Sequence, residues 1–407
     1  MKKGLFFILL VITSISYLQA QNYYDEVAGQ EGSRVITTAV PFQIIAPDAR
    51  SGGMGEVGVA SDPDASSMHW NPAKYAFIDK KFGFALSYSP WLRALVNDIN
   101  LAYLAGFYKI DDRQAIAASL LYFSLGDITF TNEFGDDIGT YNPNEFSFDA
   151  TYSRKFSEVI SGAVAARFIY SNLTQGQFVQ GAETSAGTSI AADAAVFYKK
   201  EVDLGNIGSE VTWGINLSNI GNKISYSKTA VKKDFIPTNL RIGGGLNMLF
   251  DDYNTLAILV DFNKLQVPTP PIYERDSLTN QPVYDAEGNP VIEKGMDPNV
   301  SPVAGIIQSW YDAPYGFSEE MREWAIAFGF EYWYAKQFSL RGGFFYEDKT
   351  KGNRKFFTVG AGLRYSVFGL DLSYLIPIEQ QNPLENTLRF TLHFNFDAAK
   401  PSSVPSR

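Results

Sequence analysis

The side chains best placed to do chemistry are Asp149, Arg167, Asp193, Arg241, Asp261, Glu323, Glu331, Arg341, Arg364, Asp371, Arg389 and His393. Each falls on the polar side of a stretch in which polar and apolar residues alternate. Such a pattern puts them all on one face of a set of strands. Both signs are present, so the groups can pair and fill a narrow barrel. A polar conduction path is the rival reading. Catalysis ranks third, because carboxylate pairs arise by chance among so many charges. Ser161 and the other serines of that face have no nearby histidine to activate them. Gly243-Gly244-Gly245 lies within a strand-like stretch and opens no helix, so it is not a phosphate loop; these glycines relieve crowding or allow a bend. The sequence has no cysteine and two histidines, His69 and His393. Thiolate and histidine-rich metal sites are thereby excluded. Asp62, Asp64 and His69 form only a weak metal candidate, and no cofactor is expected.

The elements that carry these residues are strands. A period of two runs from Phe82 to Phe396. At the end, Leu388, Phe390, Leu392, Phe394 and Phe396 share one side, opposite Arg389, Thr391, His393 and Asn395. The same alternation recurs from Trp324 (Ile326, Phe328, Phe330, Tyr332) and from Leu240 (Ile242, Leu246, Met248, Phe250). Segments near 82–90, 98–110, 114–124, 144–155, 158–170, 189–199, 209–219, 237–250, 255–264, 322–334, 337–346, 354–365, 367–376 and 386–396 follow this pattern. They number about fourteen and approach the length of a tilted membrane-spanning strand. The pattern predicts an all-β fold, a closed transmembrane antiparallel barrel, whose even strand number suits closure. Connections alternate between tight turns, such as Phe156-Ser157, and long loops, such as 125–143 and 265–321; the sixth, 201–208, reads as intermediate. Short periplasmic turns and long outer loops are the expected asymmetry, and a soluble sandwich has no reason to show it.

The compartment agrees. Lys2 and Lys3 precede an apolar run that ends in Leu18-Gln19-Ala20, the pattern of a signal peptide cleaved after residue 20. No later stretch is long and apolar enough for a spanning helix. The net charge of −10 argues against nucleic acid as a partner. Aromatic residues reach 15%, as expected where rings form girdles between lipid and water. The implied organisation is a signal peptide (1–20), an N-terminal extension (21–81), a barrel (82–396) and a periplasmic tail (397–407), with outer-membrane lipid as the surroundings.

The extension is glycine-rich and poor in large apolar residues, so it cannot form a core alone, but it could pack inside a barrel from the periplasmic end. Gly52, Gly53 and Gly55 flank Met54 and permit close backbone approach. Asp62 and Asp64 suit turns and caps, and Asn71-Pro72 is a turn initiator. This stretch resembles the hatch of the FadL-like outer-membrane barrels, in Gly53-Met54-Gly55, Asp62-Pro63-Asp64-Ala65-Ser66 and Trp70-Asn71-Pro72-Ala73. Over residues 34–90 it is similar to the PorV family of the type IX secretion system. Val35-Ile36-Thr37-Thr38-Ala39-Val40-Pro41-Phe42, Ala46-Pro47-Asp48-Ala49-Arg50 and His69 through Phe77 carry that likeness.

The resemblance implies a non-enzymatic barrel with an N-terminal plug. Such a barrel collects cargo proteins by their C-terminal signal domains, associates with the translocon barrel and delivers cargo to a sortase-like attachment complex. The alternative is a FadL-like transporter of hydrophobic small molecules, which would need an apolar pocket reaching the hatch. The loop 265–321 holds many prolines, so it is expected to be neither strand nor long helix. Its cluster of Ile306, Ile307, Trp310 and Tyr311 is a candidate partner contact, with folding of the loop onto the barrel rim as the equal alternative.

Overall fold

The computed structural model describes residues 34–397 apart from 94, 95, 97, 132, 133, 175, 177, 180, 181, 206, 228–232, 280, 380 and 381. The predicted signal peptide and the tail beyond Asp397 lie outside the described residues. By internal contacts the chain divides after Arg34, and the architecture below is that of the unit from Val35 onward.

Alternation in the sequence becomes a closed sheet. Its strands are β1 (Phe82–Pro90), β2 (Asn100–Lys109), β3 (Gln114–Ser124), β4 (Asn144–Lys155), β5 (Ile160–Asn172), β6 (Gly187–Leu204) and β7 (Ile207–Gly221). They continue with β8 (Asn239–Leu249), β9 (Asn254–Leu265), β10 (Ala325–Tyr334), β11 (Phe338–Tyr346), β12 (Lys355–Tyr365), β13 (Phe368–Pro377) and β14 (Leu388–Phe396). Each pairs antiparallel with its neighbours, and β14 returns to β1, with Phe82 opposite Phe396 and Tyr88 opposite Phe390. Closure leaves no row of unpaired N–H and C=O groups facing hydrocarbon. Aromatic pairs reinforce the seam: Phe82 stacks on Phe396 with centroids 4.6 Å apart, and Phe84 on Phe394 at 4.9 Å. Among the described residues no helix is long and apolar enough to cross a membrane.

All fourteen predicted segments are strands of this barrel, with ends shifted by a few residues. The even-numbered connections are tight. The Asp251 carboxylate closes the β8–β9 turn by accepting from the N–H groups of Tyr253 (2.8 Å) and Asn254 (2.7 Å). The sixth connection is shorter than its polar composition suggested: β6 and β7 stay paired to Leu204 opposite Ile207. The first residue predicted on β10 is a correction. Glu323 is not in a strand but caps the C-terminus of a short helix, and β10 begins at Ala325. Its alternation with Ala325 continued the strand pattern by coincidence.

Side chains segregate as the period requires. Ile326, Phe328 and Phe330 are exposed on the outer wall, whereas Ala325, Ala327 and Glu331, of the opposite parity, are buried. The long loop is more structured than its prolines implied. It contains a small antiparallel pair, Ile272–Tyr273 with Ile292–Lys294. It also contains two short helices, Pro302–Gln308 and Phe317–Arg322. Pro302 occupies the first helical turn, where its missing N–H costs nothing, and Ser301 caps that turn by accepting from Ala304 N.

A charge at the middle of the outer wall tests the assignment of that wall to lipid. Phe330→Arg is expected to cost about 2–4 kcal/mol in reversible unfolding from phospholipid vesicles, whereas Phe330→Leu should cost far less.

Candidate functional site

The extension that could not form a core alone obtains one from the barrel. Residues 39–78 contact strands around the whole circumference, from β3 through β14, which is possible only from within. Two single-turn helices, α1 (Ala49–Gly52) and α2 (Ser67–Trp70), and a 3-10 segment, Pro72–Phe77, give this inner segment its shape. Asp48 starts α1 by accepting from Ser51 N at 2.9 Å, and also accepts from the Trp70 indole at 2.6 Å. Asn71 accepts from Ala73 N and donates to the carbonyls of Val59 and Val196. Gly55 has φ +71°, and a Cβ there would strike the backbone of Phe344 and Phe328. At Gly58 a Cβ would run into the Trp70 ring. Gly55 permits the close approach that the sequence suggested, and Gly58 adds a second such point.

Arg50 is the principal anchor. Its guanidinium grips Glu331 of β10 at two points, 3.0 and 2.7 Å, and reaches Asp64 at 2.9 Å. Glu331 also accepts from Arg341 at 2.7 Å. Arg341 continues to Asp371 at 2.8 Å, and Asp371 in turn pairs with Arg364 at 2.7 Å and with His393 at 2.6 Å. A continuous chain of charges thus runs from the inner segment through β10 and β11 to Asp371 of β13, where it meets His393 of β14. On the other side Arg167 bridges Asp149 (2.5 Å) and Asp193 (3.1 Å) and bonds Asn219.

Further ties combine backbone contacts with one more ion pair. Asp261 accepts the N–H groups of Gly58 (2.7 Å) and Val59 (2.9 Å). Arg241 donates to His69 O at 2.7 Å, and Arg389 pairs with Glu56 at 2.7 Å. Burial, then Arg241 and Arg167, hold the His69 imidazole well below its usual range, so the ring is neutral beside Arg241. Burial pushes Lys74 down to about 8 against the pull of Asp64; its ammonium donates to Gly58 O and Ser61 Oγ. Burial also raises the Asp48 carboxyl, and Asp64 adds to that. Asp64 itself is lowered despite burial, because Arg50 and Lys74 lie nearby.

The lumen-face residues predicted from alternation are therefore brought together in pairs and networks, Glu323 excepted. That residue sits at the outer rim, at the end of the helix Phe317–Arg322, with Lys264 and with Lys351 at 2.9 Å. The weak metal trio does not converge: Asp64 is held by Arg50, Asp62 faces Lys199 and Asn247, and His69 faces Arg241. Ser161 donates to Ala73 O. Of the loop cluster, Ile307, Trp310 and Tyr311 are exposed and Ile306 is half-buried. Arg50, Lys74, Glu56, Lys264 and Lys351 escaped the sequence reading. A lone Arg50 in a glycine-rich stretch, facing a surplus of lumen carboxylates, was the available signal. Between the inner segment and the outer loops lies a cavity of about 70 Å³, lined in part by Glu56, Trp70, Arg241, Lys351 and Arg354. That volume, lined by polar groups, is enough for a few water molecules.

A closed, lipid-facing antiparallel barrel with an occupied polar lumen defines an integral outer-membrane protein. Solved structures of similar fold include the toluene transporter TbuX of Ralstonia pickettii, 12% identical with a TM-score of 0.46 over 87% of this chain and 100% of that one. Others are the toluene transporter TodX of Pseudomonas putida (12%, 0.48, 86% and 97%) and a FadL homologue of Pseudomonas aeruginosa (12%, 0.43, 90% and 99%). No curated protein sequence matches the chain. The profile of the family described as "Type IX secretion system protein PorV" matches residues 28–272, more than half of the sequence. The chain belongs to the PorV family, and is thus an outer-membrane component of the type IX secretion system.

Two outcomes follow from this site. Glu331→Leu removes the carboxylate shared by Arg50 and Arg341, leaving each with one buried partner, Asp64 and Asp371, and one positive charge in excess; it is expected to cost about 3–5 kcal/mol. The unfolding midpoint reads this, and Arg50→Met in the same chain should recover part of the loss. Asp312, in the long loop, accepts from Thr269 N at 3.1 Å. Burial, then Glu320 and Glu323, push its carboxyl up from 3.8 to about 6. The folded loop therefore binds the proton more tightly than the unfolded one, and its stability falls as pH rises from about 4 to 6. Asp312→Asn should accordingly slow proteolysis of this loop at pH 8, with no gain at pH 4.

Proposed function

We propose that this barrel is the shuttle of its secretion system. It receives cargo proteins by their C-terminal signal domains once they have crossed the outer membrane beside the translocon barrel, and passes them to a sortase-like attachment complex. The observation that supports this reading is the filled lumen. Residues 39–78 are tied to strands around the circumference by ion pairs and by backbone bonds. The cavity above them has a volume of about 70 Å³, and traffic through the barrel would require breaking a buried charge network. A partner at the outer surface requires none of this.

The outer loops offer such a surface. A cleft of about 790 Å³ lies between the loop 222–238 and the first part of the long loop, lined by Lys223, Phe235, Pro268, Pro271, Tyr273 and Asp297 among others. Mixed charge, rings and prolines suit the edge of a folded domain more than a small apolar ligand. The rival reading, transport of hydrophobic small molecules, needs an open apolar path to the inner segment; the apolar side chains on one side of the lumen, Leu101, Tyr103, Leu121, Phe123 and Ile169, are instead buried against Val40 and Phe42 of the inner segment, and arginines and carboxylates line the rest.

Affinity purification from the native outer membrane tests the proposal. A translocon barrel and several proteins sharing one C-terminal domain should accompany the protein. Replacing residues 274–291 by a short Gly-Ser linker should lower cargo recovery several-fold while leaving the barrel intact. Cargo recovery unchanged by that replacement would remove the loop assignment. A barrel that purifies alone with bound fatty acid would favour transport.

A further inference from the structure

The two helices of the long loop, here α3 (Pro302–Gln308) and α4 (Phe317–Arg322), are amphipathic in the wrong sense for water. In α4, Glu319 and Glu320 are buried at 2% and 6% exposure, while Phe317 and Met321, one turn apart, are exposed at 79% and 53%. Along α3 and its exit, Gln308 and Ser309 are buried, while Ile307 and Tyr311 are each 59% exposed. From Ser301 to Arg322 every carboxylate is buried, and Arg322 is the only exposed charged residue. A surface helix facing water shows the opposite arrangement.

The inward polarity has a cause. Lys264 pairs with Glu320 at 3.1 Å and also with Glu323, while Lys351 pairs with Glu319 at 2.8 Å and with Glu323 at 2.9 Å. Glu320 further accepts from Ala313 N, and Glu319 from Tyr315 N. The carboxylates are thus held toward the rim, and the apolar faces are turned away from it by the same bonds.

What covers those faces follows from their position. Trp310 packs edge-on against Trp324, with centroids 6.1 Å apart. Trp324 immediately precedes β10 and shares the outward parity of Ile326, Phe328 and Phe330. The exposed patch therefore continues the lipid-contacting wall of the barrel past the end of β10. Its residue types, Trp, Tyr, Phe and Met with one arginine, are those of a membrane interface, where an arginine reaches the headgroups.

We propose that α3 and α4 form a membrane-seated flank: their apolar faces lie in the outer leaflet at its boundary with the headgroups, extending the lipid-contact surface of the barrel on the β10 side. The flank fixes the depth of the barrel and holds the rest of the long loop at the membrane surface. This goes beyond the shuttle reading and depends only on the barrel.

The absence of cysteine from the sequence makes the test direct. Single substitutions I307C, F317C and M321C carry a nitroxide in the full-length protein reconstituted into phospholipid bilayers, with F328C as the lipid reference and L278C, at a residue 93% exposed, as the water reference. Collision with oxygen against a water-soluble nickel chelate should place 307, 317 and 321 close to 328 and well away from 278. Values matching 278 would overturn the proposal. So would labels that are water-accessible in bilayers of the protein alone and become protected only when native membrane proteins are added, since that outcome assigns the patch to a protein partner. Cargo recovery by the same variants is a separate readout, so failure of the flank and failure of the shuttle reading are told apart.

Discussion

Hydrocarbon offers no hydrogen bonds, and that single constraint propagates through the whole molecule. Every backbone N–H and C=O in the membrane must find a partner in the chain, so the sheet closes, with β14 returning to β1. Once it closes, a period of two sends half the side chains into a confined interior. Those positions cannot be apolar throughout without erasing the contrast that fixes strand register. They carry Asp, Glu, Arg, Ser and Thr among alanines and larger apolar residues, and the polar groups of a closed interior must be wet or satisfied from within.

The inner segment is the second solution. It brings buried apolar side chains such as Phe42, Met54, Met68 and Tyr75, and with them many backbone groups and a few well-placed charges that suit the hydroxyls, carboxylates and guanidinia of the wall. Thr391 accepts from Ala49 N, Thr358 from Gly55 N, and Thr212 donates to Ala60 O. Short helices and irregular backbone are tolerated at membrane depth because they are enclosed by protein. Glycines on both surfaces allow the contact: a Cβ at Gly343 of β11 would overlap the backbone of Met54 and Gly55. The balance of charge matters as much as the fit. Asp64, Arg50, Glu331, Arg341, Asp371 and Arg364 alternate in sign along one path, so no member is buried without an opposite neighbour.

How much of this was legible depends on the range over which each feature is encoded. Strands are written locally, as in Leu388 to Phe396, and all fourteen could be read. Turn lengths were legible for the same reason, except at the sixth connection, where polar composition hid the continued pairing of β6 and β7. The partnership of Arg50 with Glu331 joins residues far apart in the chain, and a single sequence states only that both charges exist. Glu323 was misplaced because alternation cannot tell the last turn of a helix from the first residue of a strand. Lys264 and Lys351 look like ordinary solvated lysines, since nothing nearby in sequence announces that Glu319, Glu320 and Glu323 will cover them. Likewise, the apolar cluster at Ile306, Ile307, Trp310 and Tyr311 was visible as composition, but which side of it faces outward was settled only by where the glutamates went.

These two ranges of encoding also divide the molecule by role. Local, repetitive signals build the wall, which any lipid-facing barrel needs and which tolerates exchange of one apolar residue for another. Long-range, specific pairings close the lumen, and a change there strands a partner elsewhere. The outer loops are bound by neither demand over most of their length. Where the long loop is pinned, at Lys264, Lys351 and Thr269, it is pinned at its root, leaving the proline-bearing pair around Ile272–Tyr273 and Ile292–Lys294 free of the barrel's own bonding needs. Prolines stiffen that stretch without requiring a partner for every N–H, so it keeps a defined shape outside the membrane. A surface that is shaped, anchored at its base and not needed for folding is the part of such a barrel best able to recognise another protein.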